Sequence, residues 1–217
     1  MFSFKALMYA LPFLLRGVGL TVWITVMAVA LGTAIGLLVG LCRLSSIKPL
    51  SWLATVYVEV VRGTPLLVQL YIVYFGLPQM GIRFNQVGAA VAALAFNSGA
   101  YVSEIVRAGI LSVGRKQSEA AYALGLSGSQ TMRLVVLPQA VRVMVPPLGN
   151  EFVTMIKESS LASTIGAQEL IKQAQFTTSR TFQVFSTYIG VAIIYFCLTT
   201  VTSFALRRVE RRVSRGV

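Results

Sequence analysis

The chain has 217 residues, of which 56% are hydrophobic and 12% charged, whereas soluble domains carry about 25% charged residues. All seven acidic residues are glutamate and histidine is absent, which excludes imidazole catalysis, histidine metal sites and aspartate-based phosphoryl transfer. The net charge of +12 comes from basic residues that interrupt apolar runs and cluster at the C-terminus, which favours a membrane-bound chain over a nucleic-acid-binding one.

Apolar runs long enough to cross a bilayer, which needs about 20 helical residues, dominate the chain. They cover residues 18–41, 52–75, 87–113, 141–165 and 182–206. Residues 2–15, interrupted by Pro12, are too short for another crossing and are predicted to lie along the outer interface. We therefore predict an all-α, polytopic membrane protein with five transmembrane helices in a single domain over 1–217.

Basic residues in the short loops predict the orientation, because such residues are enriched on the cytoplasmic side. One group follows the first and fifth spans and surrounds the loop after the third: Arg43, Lys48, Arg107, Arg115, Lys116, Arg133, Arg207, Arg208, Arg211, Arg212 and Arg215. The opposite side holds fewer and more dispersed basic residues: Lys5, Arg16, Arg83, Lys172 and Arg180. The N-terminus is thus predicted outside and the C-terminus in the cytoplasm.

Small residues recur at four-residue spacing in the first span, at Ala28, Gly32, Gly36 and Gly40. Such a stripe allows another helix to approach closely, so we expect a packing seam. Its partner is either another helix of this chain or a second copy.

Two predicted spans contain helix-breaking residues. The second span carries Arg62-Gly63-Thr64-Pro65, and the fourth carries Pro146-Pro147-Leu148-Gly149-Asn150. Membrane transporters often bind polar ligands where a helix is interrupted, because backbone groups are freed there, although proline also kinks helices for structural reasons alone.

A polar loop over residues 114–138 separates the third and fourth spans and carries a distinctive motif. Ser118 is a candidate helix start and Gly125 a candidate stop, which predicts a helix of about two turns parallel to the membrane. Glu119, Ala120 and Ala121 precede Gly125 at a fixed distance, and Val135-Val136-Leu137-Pro138 follows it. This pattern resembles the EAA signature of permease subunits of bacterial ATP-binding-cassette importers, with Val135 where isoleucine is common.

The resemblance covers most of the chain. EVVRGTPLLVQL (59–70), FNSGAYVSEIVRAGI (96–110) and IKESSLAS (156–163) are similar to the subfamily that imports polar amino acids. It implies a bacterial inner-membrane subunit that catalyses no bond chemistry and pairs with a second permease copy or paralogue. It also implies separate ATPase subunits that bind ATP and Mg²⁺, with Glu119, Ala120, Ala121 and Gly125 forming the coupling helix, and an extracytoplasmic amino-acid-binding protein.

Ionisable residues inside the spans are costly, of order 3 kcal/mol each, and therefore need partners or functions. Glu59 and Arg62, like Glu104 and Arg107, lie three residues apart and are expected to form local ion pairs. Glu158 has no basic residue three or four positions away, which makes it the candidate for a charge that faces a ligand.

Two stripes of polar and pliable side chains suggest a binding site for an amino acid, which needs donors for its carboxylate and acceptors for its ammonium group. Glu151, Met155 and Glu158 share one face of the fourth span, and Asn97, Tyr101 and Glu104 share one face of the third. The predicted substrate-binding residues are Asn97, Ser98, Tyr101, Met155, Glu158 and Ser159. Interhelical hydrogen bonding explains the same residues equally well.

These features leave rival functions open. Broken helices and buried glutamates would also suit a stand-alone, ion-coupled secondary transporter of amino acids, although the coupling motif argues against it. A membrane anchor or assembly factor without a pathway is a third alternative. Two acidic residues facing one cavity would favour basic amino acids among the polar ones.

Overall fold

The computed structural model describes residues 3–214, and all regular secondary structure in that range is helical, as predicted. Phe2 and Arg215, which belong to the predicted interface segment and the C-terminal basic group, lie outside the described residues. The α-helices are α1 (Phe4–Arg43), α2 (Lys48–Gly63), α3 (Leu66–Tyr71), α4 (Gln86–Ser112), α5 (Arg115–Ala123), α6 (Gly128–Thr131), α7 (Leu137–Glu158), α8 (Leu170–Thr181) and α9 (Val184–Ser214). Short 3-10 or π segments extend or link them at Ile72–Gly76, Leu77–Met80, Met132–Val136 and Ser159–Ile165.

Three of the described helices, α1, α4 and α9, are long and apolar enough to cross a membrane. A fourth crossing is added if the bent pair Lys48–Gly63 and Leu66–Met80 counts as one span. Helix α7, which covers most of the predicted fourth span, has 22 residues. It does not meet the same criterion, because polar residues such as Asn150 and Glu151 lower its hydropathy.

The N-terminal segment is not a separate interfacial element, which corrects the prediction for residues 2–15. Helix α1 runs without interruption for 40 residues and includes Pro12. Ala10 and Leu14 are fully buried against α8 and α9, in a cluster with Leu170 and Val191. The sequence reading missed this because the covering helices lie more than 150 residues away in the chain.

The small-residue stripe of α1 packs against α4 of the same chain, which answers the question of its partner. A Cβ atom on Gly32 would lie 2.8 Å from Ser98 Cβ, and one on Gly36 would lie 2.5 Å from Val102 Cβ. A Cβ on Gly40 would lie 2.9 Å from the Val106 side chain. The small residues therefore allow α1 and α4 to pack more closely than larger side chains would permit.

The two predicted helix breaks have different outcomes. The break in the second span is confirmed, since α2 ends at Gly63, α3 begins at Leu66 and their axes differ by 105°. The predicted break at residues 146–150 is wrong, because α7 continues through both prolines to Glu158. Packing on both sides of the proline pair supports the helix there, against α4 and α9.

The loop between α4 and α7 contains the predicted short helix, with a corrected start. Helix α5 begins at Arg115 after the N-cap residue Gly114, three residues before Ser118. Gly125 adopts a φ of +83° directly beyond the helix end, as expected for its terminator. The serine that does cap a helix is Ser127, which forms a reciprocal capping box with Gln130 on α6.

Helix α8 is an element that the hydropathy pattern did not reveal. The Glu169 carboxylate caps its N-terminus by accepting hydrogen bonds from the backbone N–H groups of Ile171 and Lys172, both at 2.9 Å. The Leu170 N–H donates to Thr21 Oγ1 on α1, which ties the start of α8 to the first helix. Burial raises the pKa of Glu169 to about 7, against the opposing effect of these backbone donors.

The α1–α4 seam yields a prediction for stability. Gly36→Ala should lower the midpoint of thermal unfolding in detergent, because the new methyl group would meet Val102 and the Gly99 carbonyl oxygen 2.9 Å away. Overpacking of this kind costs about 1–3 kcal/mol. The matched control is Gly19→Ala on the same helix, where nothing lies within 4 Å of the added methyl. Equal midpoints for both variants would contradict the close-packed seam.

Candidate functional site

A cavity of about 360 Å³ lies beside the break between α2 and α3. The break contributes one wall, α4 a second and α7 a third, so the cavity sits where three stretches distant in sequence converge. Its lining consists of Thr64, Pro65, Leu66, Leu67, Asn97, Tyr101, Glu151, Thr154, Met155, Glu158 and Leu161.

The break itself is held by the buried side chain of Gln69 on α3. Its Nε2 group donates to the Val61 carbonyl oxygen at 2.7 Å and to the Thr64 carbonyl and hydroxyl oxygens at 3.1 and 2.9 Å. Its Oε1 atom accepts a 3.0 Å hydrogen bond from Asn97 Nδ2 on α4. One amide thus satisfies carbonyl groups freed at the end of α2 and fixes the break to α4.

The structure brings together most of the predicted substrate-binding residues. Asn97, Tyr101, Met155 and Glu158 all line the cavity. Ser98 and Ser159 do not: Ser98 is fully buried against Gly32 of α1, and the Ser159 hydroxyl donates to the Ile156 carbonyl oxygen at 2.7 Å.

Several cavity residues were not among the predicted set. Thr64 lies in the break that the sequence did indicate, and Thr154 lies three residues after Glu151 on α7. Glu151 belongs to the stripe recognised on that helix, and its helical spacing to Met155 and Glu158 was the signal that could have added it. Gln69, which lies behind the lining and holds the break, carried no such signal, because its role depends on contacts with α2 and α4.

The lining is negatively charged. The described residues around the cavity include two carboxylates, Glu151 and Glu158, and no basic side chain. Glu151 is 8% exposed, and its Oε1 atom has no hydrogen-bond partner within the described part of the chain. Such a cavity can accept a cationic or ammonium group. Among the described residues, no cluster of three or more acidic or cysteine side chains could hold a metal ion.

The predicted local ion pairs are confirmed in one case and wrong in the other. Arg107 Nη2 lies 2.8 Å from Glu104 Oε1, as expected. Arg62 does not pair with Glu59; its Nη1 atom lies 4.0 Å from Glu104 on α4. The bend after α2 and the packing of α2 on α4 bring Arg62 to another helix, which spacing along one helix cannot reveal.

The predicted coupling residues lie on and just after α5. Glu119 and Ala120 are exposed, Ala121 is 3% exposed, and Gly125 ends the helix. Tyr122 and Leu124 expose 54% and 83% of their surfaces. Helix α5 therefore presents two large apolar side chains beside a carboxylate, a surface that suits contact with another protein.

A family model described as "Binding-protein-dependent transport system inner membrane component" matches residues 32–215. Among curated proteins, the chain is 42% identical over 214 residues to the glutamine transport system permease protein GlnP of Escherichia coli (strain K12), covering 98% of both chains. It is 40% identical over 212 residues to the arginine transport system permease protein ArtQ of Bacillus subtilis (strain 168), covering 97% of both.

A solved structure has the same architecture. The chain superposes with a TM-score of 0.93 and 44% identity on a chain of a crystal structure described as an amino acid ABC transporter with histidines, covering 98% of this chain and 99% of that one. The similarity extends through α1 to α9 and includes the elements that form the cavity.

The Gln69 contacts predict a loss of stability on substitution. Gln69→Met keeps a side chain of similar length but removes the amide donor to the Val61 and Thr64 carbonyl groups, at a cost of about 1–3 kcal/mol. We expect a lower midpoint of thermal unfolding in detergent. Gln168→Met, at an exposed glutamine, is the control and should match the unsubstituted protein. A Gln69→Met midpoint equal to that of the control would refute the role of the amide.

Proposed function

The chain belongs to the family of binding-protein-dependent transport system inner membrane components, and from this premise we propose how it moves its substrate. It is the permease subunit of an amino acid ATP-binding-cassette importer. The substrate we propose is a polar amino acid, with a preference for basic ones. Membership in this family decides against a stand-alone secondary transporter.

One observation carries the proposal for the site: the 360 Å³ cavity at the break between α2 and α3 contains two carboxylates and several neutral polar groups. Glu158 would bind the ammonium group or a cationic side chain, and Glu151 adds to the negative charge of the lining. Thr64, Asn97 and Thr154 supply hydrogen-bonding groups for the carboxylate and the polar side chain, and Met155 provides an adaptable apolar contact. The names of the relatives that transport glutamine and arginine support a polar substrate of this size.

The proposed membrane arrangement has five crossings, formed by α1, the bent α2–α3 unit, α4, α7 and α9. The N-terminus lies outside and the C-terminus in the cytoplasm of a bacterial inner membrane. The cluster of arginines at the end of α9 and the basic residues around α5 support this orientation. Polar residues in α7 are compatible with a crossing because they line a cavity rather than facing lipid.

Transport is proposed to be driven by partner ATPase subunits that bind ATP and Mg²⁺, with α5 as the coupling helix and this chain taking no part in bond chemistry. Tyr122 and Leu124 would fill an apolar cleft of the ATPase, and Glu119 would meet donors at its rim. A second permease, identical or paralogous, would complete the pathway, and an extracytoplasmic binding protein would deliver the amino acid. ATP-driven movement of α5 would then shift α4 and α7 and change the side from which the cavity is open.

The cavity predicts a transport defect in Glu158→Gln. The amide keeps the size of the side chain but loses the charge, and a hydrogen bond to a charged group contributes about 1.5–3 kcal/mol, which corresponds to at least about tenfold in affinity. Uptake of radiolabelled L-arginine into cells should fall accordingly at normal expression. Glu59→Gln, an exposed carboxylate on α2 outside the cavity, should retain uptake. Equal uptake by both variants would exclude Glu158 from the site.

If α5 docks on the ATPase, a substitution on its exposed face should abolish stimulation of ATP hydrolysis without affecting binding of the amino acid. Ala120→Arg places a long cation on the exposed face of α5 and should abolish stimulation of the partner ATPase, while detergent-solubilised protein still binds the amino acid. Gln168→Arg, at an exposed position two residues before α8, should leave stimulation unchanged. Full stimulation of ATP hydrolysis by the Ala120→Arg complex would show that α5 does not dock on the ATPase.

A further inference from the structure

A second cavity of about 510 Å³ adjoins the first, on the side nearer to α5. It lies between the C-terminal half of α4 and the middle of α7, and α2 contributes Arg62 to its lining. Tyr101 and Glu151 line both cavities. A solute that leaves the first cavity toward α5 would therefore pass these two side chains and enter the second.

Arg62 belongs to a cluster of charged residues at the edge of this cavity and makes the longest ion-pair contact in it. Glu104 Oε2 accepts a hydrogen bond from Arg43, and Glu104 Oε1 accepts one from Arg107 at 2.8 Å. Arg62 is left at 4.0 Å from Oε2, with 45% of its side chain exposed. Three guanidinium groups thus share one carboxylate. Of the three arginines, Arg62 makes the longest contact with Glu104, and it is the one that lines the cavity.

The other wall of the cavity offers the opposite charge. Glu151 is more than nine-tenths buried, and its Oε1 atom lacks a hydrogen-bond partner among the described residues. Asn150, next to it on α7, adds an amide to the same lining. A guanidinium that makes only a long 4.0 Å ion pair and a carboxylate oxygen without a hydrogen-bond partner therefore border one cavity. These groups match the carboxylate and ammonium of a free α-amino acid.

We propose that this second cavity is a further binding station for the transported amino acid, which holds the α-carboxylate on Arg62 and the α-ammonium group on Glu151. The inference rests on the proposed function, because it places the station on the same route as the first cavity. The two stations recognise different features: the first, with two carboxylates and no basic side chain, favours cationic groups, whereas the second recognises the zwitterionic backbone shared by all α-amino acids. Arg62 lies over the ring of Tyr101, 5.3 Å from its centroid, so binding of a carboxylate by Arg62 occurs at the boundary between the stations.

The test is binding stoichiometry, measured by equilibrium dialysis on the full chain purified in complex with its ATPase. The probe is whichever of radiolabelled L-arginine and L-glutamine the cells take up. The unsubstituted protein should bind a second molecule per chain, and Arg62→Gln should lose that second molecule while keeping the first. The decarboxylated amine of the same amino acid, which has no carboxylate for Arg62, should occupy only the first station.

Arg107→Gln is the matched control, because it removes an arginine from the same Glu104 cluster without altering the lining of the cavity. It should retain the second bound molecule. Glu104 keeps hydrogen bonds from Arg43 and Arg107 in Arg62→Gln, so that variant is expected to fold, and co-purification with the ATPase checks this.

Different results overturn different conclusions. A single bound molecule in the unsubstituted protein, with uptake intact, would overturn the second station and leave the proposed function standing. Equal stoichiometry for Arg62→Gln and Arg107→Gln, or full occupancy by the decarboxylated amine, would overturn the role of Arg62. Absence of both uptake and binding for every amino acid tested would instead refute the proposed function.

Discussion

A helix that stops within an apolar bundle leaves backbone carbonyl groups without an intrahelical donor, and the buried ones need a donor from elsewhere. In this protein Gln69 supplies the donor for the end of α2, and the same side chain accepts a hydrogen bond from Asn97. These hydrogen bonds stabilise the bend of 105° between α2 and α3. The bend forms one wall of the first cavity, and α2, which precedes it, contributes Arg62 to the second. The Gln69 amide therefore stabilises an element that both cavities share.

Helix α4 positions the site because one of its faces packs against α1 and the other lines the first cavity. One face, with Ser98, Val102 and Val106, is pressed against the glycine stripe of α1. The other face carries Asn97 and Tyr101 into the first cavity. The close approach allowed by Gly32, Gly36 and Gly40 therefore fixes the position of the helix that presents the polar residues, although none of these three glycines lines the first cavity.

The distribution of charge changes along the two cavities. Glu151 and Glu158 give the first cavity a negative lining, whereas the second has Arg62 opposite Glu151. Intramembrane charges are costly, and the Glu104 cluster shows one solution, in which a carboxylate is shared among three arginines on three helices. Arg62 makes the longest contact of the three arginines with Glu104, and Glu151 Oε1 has no hydrogen-bond partner among the described residues. Both groups therefore retain capacity to bind a ligand.

The sequence alone was sufficient for the features that depend on neighbouring residues. Apolar runs identified the long helices, Gly63-Thr64-Pro65 identified the break, and the helical spacing of Asn97 and Tyr101 placed them on one face. Interactions between distant segments could not be obtained in this way. The burial of Leu14 by α8 and α9, the continuity of α7 through Pro146 and Pro147, and the pairing of Arg62 with Glu104 all depend on contacts across the bundle. Local sequence specifies what each helix can present, but only tertiary packing decides which surfaces meet, because the donors, charges and apolar atoms that satisfy one helix are carried by others.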